Sequence, residues 1–203
     1  MGRTSDARQR LMDAAYDLIW EYSYGAVTID AICERAGVKK GSFYYFFDSK
    51  SELAVAAIDA WWVERHALIA EMFRREVPPL ERVRSYFNFV VKRQIESYEA
   101  SGQVLGCPLF TLGAEICTQD EQIRSRIHEI ITSFGRYFEE AIMDGQASGE
   151  IEGKNAALKT RSLMAYYEGT LTRARIENNV ELIRNLISDA FELIGVRPAF
   201  VVL

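Results

Sequence analysis

Apolar side chains recur every three or four residues along almost the whole chain, and this spacing limits the fold more than any other feature. Between residues 5 and 23, for example, Leu11, Ala15, Leu18 and Tyr22 fall on one face of a helix, while Arg8 and other charged residues fall elsewhere. The pattern contains no strands. The sequence therefore predicts an all-α protein.

Two short helices separated by a glycine turn follow the first helix. Thr28 is a good N-cap for a helix that Gly37 ends, and Lys39 to Phe46 can form about two further turns. Helix, helix, glycine turn and short helix is the outline of a helix-turn-helix unit, in which the last helix lies in the DNA major groove.

Five consecutive aromatic residues, Phe43 to Phe47, lie on and just after this last helix. Phe43 and Phe47 are one turn apart, so we expect both to pack inward and hold the short helix in place. Five polar or hydroxyl-bearing side chains then point outward, where they can reach phosphates: Lys39, Lys40, Ser42, Tyr44 and Tyr45. The alternative is a purely structural aromatic cluster beside solvated lysines.

The charge distribution favours the DNA-binding interpretation. The whole chain has a net charge of −5, which alone argues against a nucleic-acid partner. Residues 35 to 50, however, hold four bases and only one acid. A local basic patch on an acidic body is typical of a small DNA-reading module.

The stretch TIDAICERAGVKKGSFYYFFDSKSEL resembles the DNA-binding segment of the tetracycline-repressor (TetR) family of transcriptional regulators. The resemblance implies a homodimeric repressor that binds a pseudo-palindromic double-stranded DNA operator and is released by a small-molecule effector. It implies a three-helix DNA-binding domain over residues 1–50 and a C-terminal helical ligand-binding and dimerisation domain over residues 51–203. The DNA contacts that it implies are Thr28, Lys39, Lys40, Ser42, Tyr44, Tyr45 and Lys50. Many members have histidine where Phe46 stands, so no contact is transferred to that position.

The rest of the chain predicts further helices. Ser49 to Glu52 form a capping box that opens a long helix to about Glu76. Others are predicted at 80–100, 109–118, 121–144, 155–176 and 180–194. In the family the final helix pair forms a four-helix dimer interface, which implies Leu182, Leu186 and Phe191 as interface residues. The alternative is that this apolar stripe packs within its own subunit.

The predicted effector is a small apolar or electrophilic molecule. The candidate pocket residues are Trp62, His66, Phe87, Cys107, Phe110, Phe134 and Tyr167. The stretch LGCPLFTLGAEI is similar to a segment of a TetR branch in which some members respond to electrophiles. Cys107 precedes Pro108 at a predicted helix start, where a thiolate is stabilised, whereas Cys33 and Cys117 are expected to be buried. The alternative for Cys107 is a small buried hydrophobe.

Catalysis is a remote alternative. The two histidines, His66 and His128, lie in no catalytic motif, and no nucleophile elbow, P-loop, dinucleotide fingerprint or zinc-binding pattern is present. We therefore predict no enzyme activity, no cofactor and no metal site. The polar start, MGRTSDARQR, and the short apolar runs predict neither a secretory signal nor a membrane span, and hence a cytoplasmic protein.

Overall fold

The computed structural model describes residues 2–200, with side chains from Asp6 onward. Nine α-helices lie within this range: α1 Gly2–Glu21, α2 Ile29–Ala36, α3 Lys40–Phe46, α4 Lys50–Met72, α5 Pro79–Ser101, α6 Pro108–Ile116, α7 Glu121–Ala147, α8 Ala156–Ile176 and α9 Leu186–Ile194. Short 3₁₀ helices occupy Val180–Ile183 and Pro198–Phe200. Over the same residues the extended structure is one isolated antiparallel bridge, Ile151 to Val196. The prediction of an all-α fold is confirmed.

The chain packs as two compact units. The first contains the residues up to His66 together with Pro108–Ile130, and the second contains Ala67–Cys107 together with the residues from Ile131 onward. The helix-turn-helix segment, the start of α4, α6 and the start of α7 thus belong to one unit. This division differs from a boundary at residue 50, because α6 lies far along the sequence but packs on α1.

Each unit has its own apolar core. In the first, Leu11, Ile32, Phe43 and Leu53 are completely buried. In the second, the largest buried side chains are Phe87, Phe138, Ile142, Leu163 and Phe191. The helical spacing of these residues is what places them inside, since burial of apolar surface is the main favourable contribution to folding.

The observed helix bounds differ from the sequence prediction at several places. Helix α1 ends at Glu21, so residues 22–28 form the α1–α2 loop. Helix α4 ends at Met72, and the carbonyls of Arg75 and Val77 accept hydrogen bonds from the buried Arg82 guanidinium, which holds the chain in a turn. The predicted final helix is broken at Asn185, whose backbone angles (φ −91°, ψ 10°) are not helical.

Candidate nucleic-acid interface

The ends of α2 fix the turn that precedes α3. The Thr28 Oγ1 accepts a hydrogen bond from the Ala31 N–H at 3.1 Å, which is the predicted N-cap. Gly37 ends the helix in the left-handed region (φ 63°), and the N–H of Val38 bonds to the Cys33 carbonyl at 3.0 Å. Because Oγ1 is only an acceptor in the cap, the Thr28 hydroxyl proton is left for an outside acceptor.

The aromatic run divides between the core and the surface as predicted. Phe43 and Phe47 are 0% and 2% exposed, with ring centroids 6.1 Å apart, and the Arg8 guanidinium lies over the Phe47 ring at 5.3 Å. Tyr44 and Tyr45 are 53% and 74% exposed. The two phenylalanines thus anchor α3 and leave the two tyrosines free to contact another molecule.

The two lysines at the start of α3 differ in their surroundings. Lys39 occupies the N-cap position and is exposed. Lys40 is also exposed, but its ammonium lies 2.8 Å from an Asp30 carboxylate oxygen, and the hydrogen bond to Asp30 raises the Lys40 pKa. An exposed ion pair of this kind adds little stability and is easily exchanged for a phosphate. Ser42, half-buried, follows within the same turn.

Lys50 faces the α1–α2 loop. Its Nζ donates to the Tyr24 carbonyl at 2.8 Å and to the Val27 carbonyl at 2.9 Å, and lies 4.1 Å from the centroid of the Tyr24 ring. Partial burial lowers the Lys50 pKa, while the charge of Glu115 acts in the opposite direction. Since an ammonium has three N–H donors, at most one remains for a DNA phosphate.

Glu115 is a functional candidate that the sequence reasoning missed. Its two carboxylate oxygens accept hydrogen bonds from the backbone N–H groups of Tyr24, at 2.8 Å, and Gly25, at 2.7 Å. The signal was present, because Glu115 is the one charged residue in the otherwise apolar helix PLFTLGAEI. Its binding partner, a loop 90 residues earlier, cannot be read from that pattern.

The predicted pocket residues fall in both units. Trp62, His66 and Phe110 belong to the first, where the rings of Trp62 and His66 are 5.2 Å apart. Phe87, Cys107, Phe134 and Tyr167 belong to the second.

An aromatic cluster brings three of these side chains together in the second unit. Phe87 and Phe134 lie 5.5 Å and 6.4 Å from the Tyr167 ring, and Tyr86 and Phe138 fill the space beside them. The hydroxyls of Tyr86 and Tyr167 are 3.0 Å apart. Burial raises the Tyr167 pKa well above its ordinary value, and the nearby Tyr86 and Cys107 raise it further. The cluster is therefore apolar with one hydroxyl pair inside it.

The α5–α6 segment, residues 102–107, is held by side chains from α5, from α8 and from the turn that follows α8. The buried Gln94 amide donates to the Gly106 carbonyl at 2.9 Å and accepts from the Gly106 N–H at 3.1 Å. Arg175 donates to the Leu105 carbonyl at 2.5 Å, and Asn178 bonds to the Gly102 carbonyl and the Val104 N–H. These bonds fix the backbone that leads into Cys107.

The three cysteines differ in burial. Cys33 is buried, as predicted, and burial raises its thiol pKa. Cys117 is half-buried in the turn after α6, so the prediction that it lies buried within a helix is wrong; α6 already ends at Ile116. Burial also raises the Cys117 pKa. Cys107 is half-buried and directly precedes the first residue of α6.

A groove of about 830 Å³ lies in the first unit, between α1 and α4. Carboxylates and guanidinium groups line it beside the stacked rings of Tyr16 and Trp61, whose centroids are 6.2 Å apart. The predicted pocket residues line no part of this groove. Its full lining is Arg8, Gln9, Met12, Asp13, Tyr16, Asp17, Ala56, Ala57, Asp59, Ala60, Trp61, Val63, Glu64 and Arg65.

Two of the three predicted dimer residues are in the core of their own subunit. Leu186 is 0% exposed and Phe191 is 2% exposed, with the Arg84 guanidinium 5.0 Å from the Phe191 ring centroid. These side chains cannot meet a partner, because their own chain already covers them, so this part of the prediction was wrong. Leu182 is half-buried. The large exposed apolar side chains of the last two α-helices are Leu158, Ile176 and Leu193.

In the described part of the chain, the His, Cys, Asp and Glu side chains form no group of three that could hold a metal ion. None of the helices within residues 2–200 is long and apolar enough to cross a membrane.

Helix α2 is capped at both ends and leads through a glycine turn into α3, which is anchored by phenylalanines and presents tyrosines and lysines. This arrangement defines a DNA-binding helix-turn-helix regulator. The family described as "Bacterial regulatory proteins, tetR family" matches residues 11–57, and "Tetracyclin repressor-like, C-terminal domain" matches residues 79–189. The chain belongs to the TetR family of transcriptional regulators, as its sequence predicted. Members of this family are regulatory proteins rather than enzymes.

Curated relatives extend this similarity over nearly the full chain. The HTH-type transcriptional repressor DhaR of Mycobacterium sp. strain GP1 is 26% identical over 194 residues, which cover 95% of this chain and 93% of that protein. The HTH-type transcriptional repressor NemR of Escherichia coli K12 is 22% identical over 192 residues, covering 94% of each.

Solved structures share the fold. The regulatory protein TetR from Rhodobacter sphaeroides has a TM-score of 0.81 at 24% identity and covers 92% of this chain and 98% of its own. The reduced form of E. coli NemR also has a TM-score of 0.81, at 20% identity, and covers 95% of this chain and 99% of its own.

Proposed function

We propose that this regulator is a repressor that binds a pseudo-palindromic operator as a homodimer and is released by a small effector. The observation that carries the proposal is the outward display of Lys39, Lys40, Tyr44 and Tyr45 on a helix fixed by buried Phe43 and Phe47. Ser42, the Thr28 hydroxyl and the remaining Lys50 donor complete the proposed contact surface. A dimer would place two such helices in major grooves roughly 34 Å apart.

Selection from a random duplex library tests this function. Wild-type protein should enrich an inverted repeat, and Tyr44→Ala and Tyr45→Ala should weaken binding at least about tenfold. Tyr98→Ala on α5 is the matched control and should bind like the wild type. Failure of the wild type to enrich any inverted repeat would contradict the proposal.

The salt dependence of binding distinguishes the contributions of Lys39 and Lys40. Lys39→Ala should reduce the slope of log affinity against log salt by about one, which is the effect of losing one phosphate contact. Lys40→Ala should reduce affinity less, because Lys40 must first leave Asp30. Lys92→Ala, on α5, should leave the slope unchanged.

Homodimerisation is proposed through the exposed apolar positions of α8 and α9. Ile176 is 78% exposed and Leu193 is 42% exposed. Burial of these apolar side chains against a partner subunit would explain why they lie on the surface of one subunit. Sedimentation of Ile176→Glu and Leu193→Glu should show monomers that bind operator weakly. Met143→Glu on α7, also exposed, is the control and should remain a dimer. An unchanged mass in the two variants would show that dimers form elsewhere.

The proposed effector site is the aromatic cluster of the second unit. Phe87, Phe134 and Tyr167 are buried apolar side chains, and the Tyr86–Tyr167 hydroxyl pair lies among them. A small molecule that entered this cluster would meet mostly apolar groups and one polar pair, the combination that small-molecule sites use. Trp62, His66 and Phe110 remain predictions. A thermal-shift screen with small aromatic compounds should identify compounds that raise the melting temperature and release the protein from operator. Phe134→Ala should weaken the binding of these compounds.

A second candidate for the effector step is covalent modification of Cys107. It is favoured by the position of Cys107 directly before α6, where the N–H groups of a helix start stabilise a thiolate. Burial also raises the thiol pKa of Cys33 and Cys117, which disfavours their thiolates. Competitive alkylation followed by mass spectrometry should label Cys107 first, and Cys107→Ser should stay on operator when an electrophile is added. Faster labelling of either other cysteine would contradict this candidate.

A further inference from the structure

The α1–α2 loop leads directly into Thr28, yet it has little regular structure of its own. The backbone N–H of every residue from Tyr24 to Val27 nevertheless donates a hydrogen bond. The Glu115 carboxylate accepts from Tyr24 and Gly25, while the Ser23 hydroxyl oxygen and carbonyl accept from Ala26 and Val27, both at 3.3 Å. Backbone groups that are paired in this way define one loop conformation.

Two carbonyl groups of the same loop accept hydrogen bonds from a positively charged side chain, whereas Glu115, which binds the N–H groups, is negatively charged. The Lys50 ammonium takes the carbonyls of Tyr24 and Val27 and lies against the Tyr24 ring. A carboxylate from α6 and an ammonium from α4 thus grip one short stretch from its donor side and its acceptor side. Hydrogen bonds with a charged partner are about twice as strong as neutral ones.

From this arrangement we propose that Glu115 is a positioning residue for DNA binding. It acts through the loop: the carboxylate fixes Tyr24 and Gly25, these fix Thr28 three residues later, and Thr28 sets the start of α2. The inference rests on the proposed function, in which α2 and α3 present the DNA contacts. Glu115 itself needs no contact with DNA.

Gly25 supplies an independent test of the same geometry. Its backbone is not in the left-handed region, so alanine can adopt its conformation. A Cβ at this position would lie 3.1 Å from the Glu115 Oε1, which is tighter than an ordinary contact. Gly25→Ala should therefore displace the carboxylate and disturb the loop only when Glu115 is present.

The first experiment measures operator affinity and amide hydrogen exchange for three variants. Glu115→Ala should bind operator about tenfold more weakly, and Glu115→Gln about threefold, since the amide keeps one acceptor oxygen. The amides of Tyr24 and Gly25 should exchange faster in the same order. Glu121→Ala removes an exposed carboxylate that pairs with Arg124 and should change neither quantity.

Circular dichroism at the assay temperature separates positioning from unfolding. All variants should be fully folded at that temperature, so that lost affinity reflects a changed orientation of α2 and α3 rather than a smaller folded fraction. Affinity that falls only in proportion to the unfolded fraction would overturn the inference.

The second experiment is a double-mutant cycle between positions 25 and 115. Gly25→Ala should weaken operator binding about threefold in the wild type and have no effect in Glu115→Ala. Equal effects in both backgrounds would overturn the inference.

The two proposals fail in different ways. If wild-type protein enriches no inverted repeat, the proposed function and this inference both fall. If wild-type protein binds tightly and Glu115→Ala binds equally well, the inference alone falls.

Discussion

Two irregular segments of the molecule are both held by side chains that hydrogen-bond to their backbone, but the side chains differ in charge. The α1–α2 loop is gripped by two charged side chains, Glu115 and Lys50, at a partly exposed site. The α5–α6 segment is held chiefly by amides, with Gln94 buried against both polar groups of Gly106. The strength of hydrogen bonds made by charged side chains near water depends on salt and pH, whereas that of buried bonds between neutral groups does not.

The difference matches what each segment precedes. The α1–α2 loop leads into the proposed DNA contacts, and a grip that water can reach can be loosened without loss of the core. The α5–α6 segment ends at Cys107 and leads into α6, and the buried bonds between Gln94 and Gly106 favour one fixed backbone. We therefore expect the second segment to contribute more to stability and the first to be more sensitive to conditions.

The largest expected effect is on the buried grip. Gln94→Ala removes the buried side-chain amide that bonds both the N–H and the carbonyl of Gly106, which should lower the free energy of unfolding by about 3 kcal/mol. Urea unfolding followed by circular dichroism measures this. Gln103→Ala, at an exposed position of the same segment, should change it by less than about 0.5 kcal/mol. An equally small effect for Gln94→Ala would remove the basis of the comparison.

A smaller loss is expected for the charged grip. Lys50→Met keeps the aliphatic stem but loses the bonds to Tyr24 and Val27, so we expect a decrease of about 1–2 kcal/mol, since water can replace part of the grip. The exposed Lys92→Met is the control, and its stability should match the wild type. A loss larger than that of Gln94→Ala would reverse the order proposed for the two segments.

The sequence was sufficient for the fold class because helical spacing, caps and glycine stops are local signals. The Thr28 cap, the Gly37 stop and the burial of Phe43 and Phe47 could all be predicted from neighbours within a few residues. The part of the proposed DNA-contact surface that lies on α3 follows from the same local signals, whereas Thr28 is the last residue of the α1–α2 loop and Lys50 lies on α4 and bonds to that loop.

What could not be predicted depends on partners distant in sequence. The grip of Glu115 on Gly25 joins residues 90 positions apart, and the Lys50 bonds to the loop span 23 and 26 positions. Likewise, an apolar stripe on the last helix does not reveal whether its own subunit or a partner covers it. Leu186 and Phe191 proved to be covered from within.

Salt provides a direct contrast between the segments. Raising the ionic strength from about 0.05 M to about 1 M shortens the Debye length to about 3 Å and weakens exposed charge interactions. The Tyr24 and Gly25 amides should then exchange about two- to threefold faster, while the Val104 and Gly106 amides, held by uncharged side chains, should not change. Hydrogen exchange monitored by NMR gives both pairs in one sample. Parallel acceleration of all four amides would indicate a general loosening instead.

The smallest expected effect is a pH dependence with a definite sign. Burial lowers the pKa of Lys50 below its ordinary value of 10.5. Between the folded and unfolded pKa values the unfolded chain binds more protons at this position, so its contribution to stability increases as pH rises towards about 10.5. The stability difference between wild type and Lys50→Met should therefore widen between about pH 8 and about pH 10.5. The difference between wild type and Gln94→Ala should stay constant, because Gln94 does not titrate. Urea unfolding of the three proteins at both pH values measures the two differences, and a narrowing of the first would show that the Lys50 charge is stabilised, not disfavoured, at the loop.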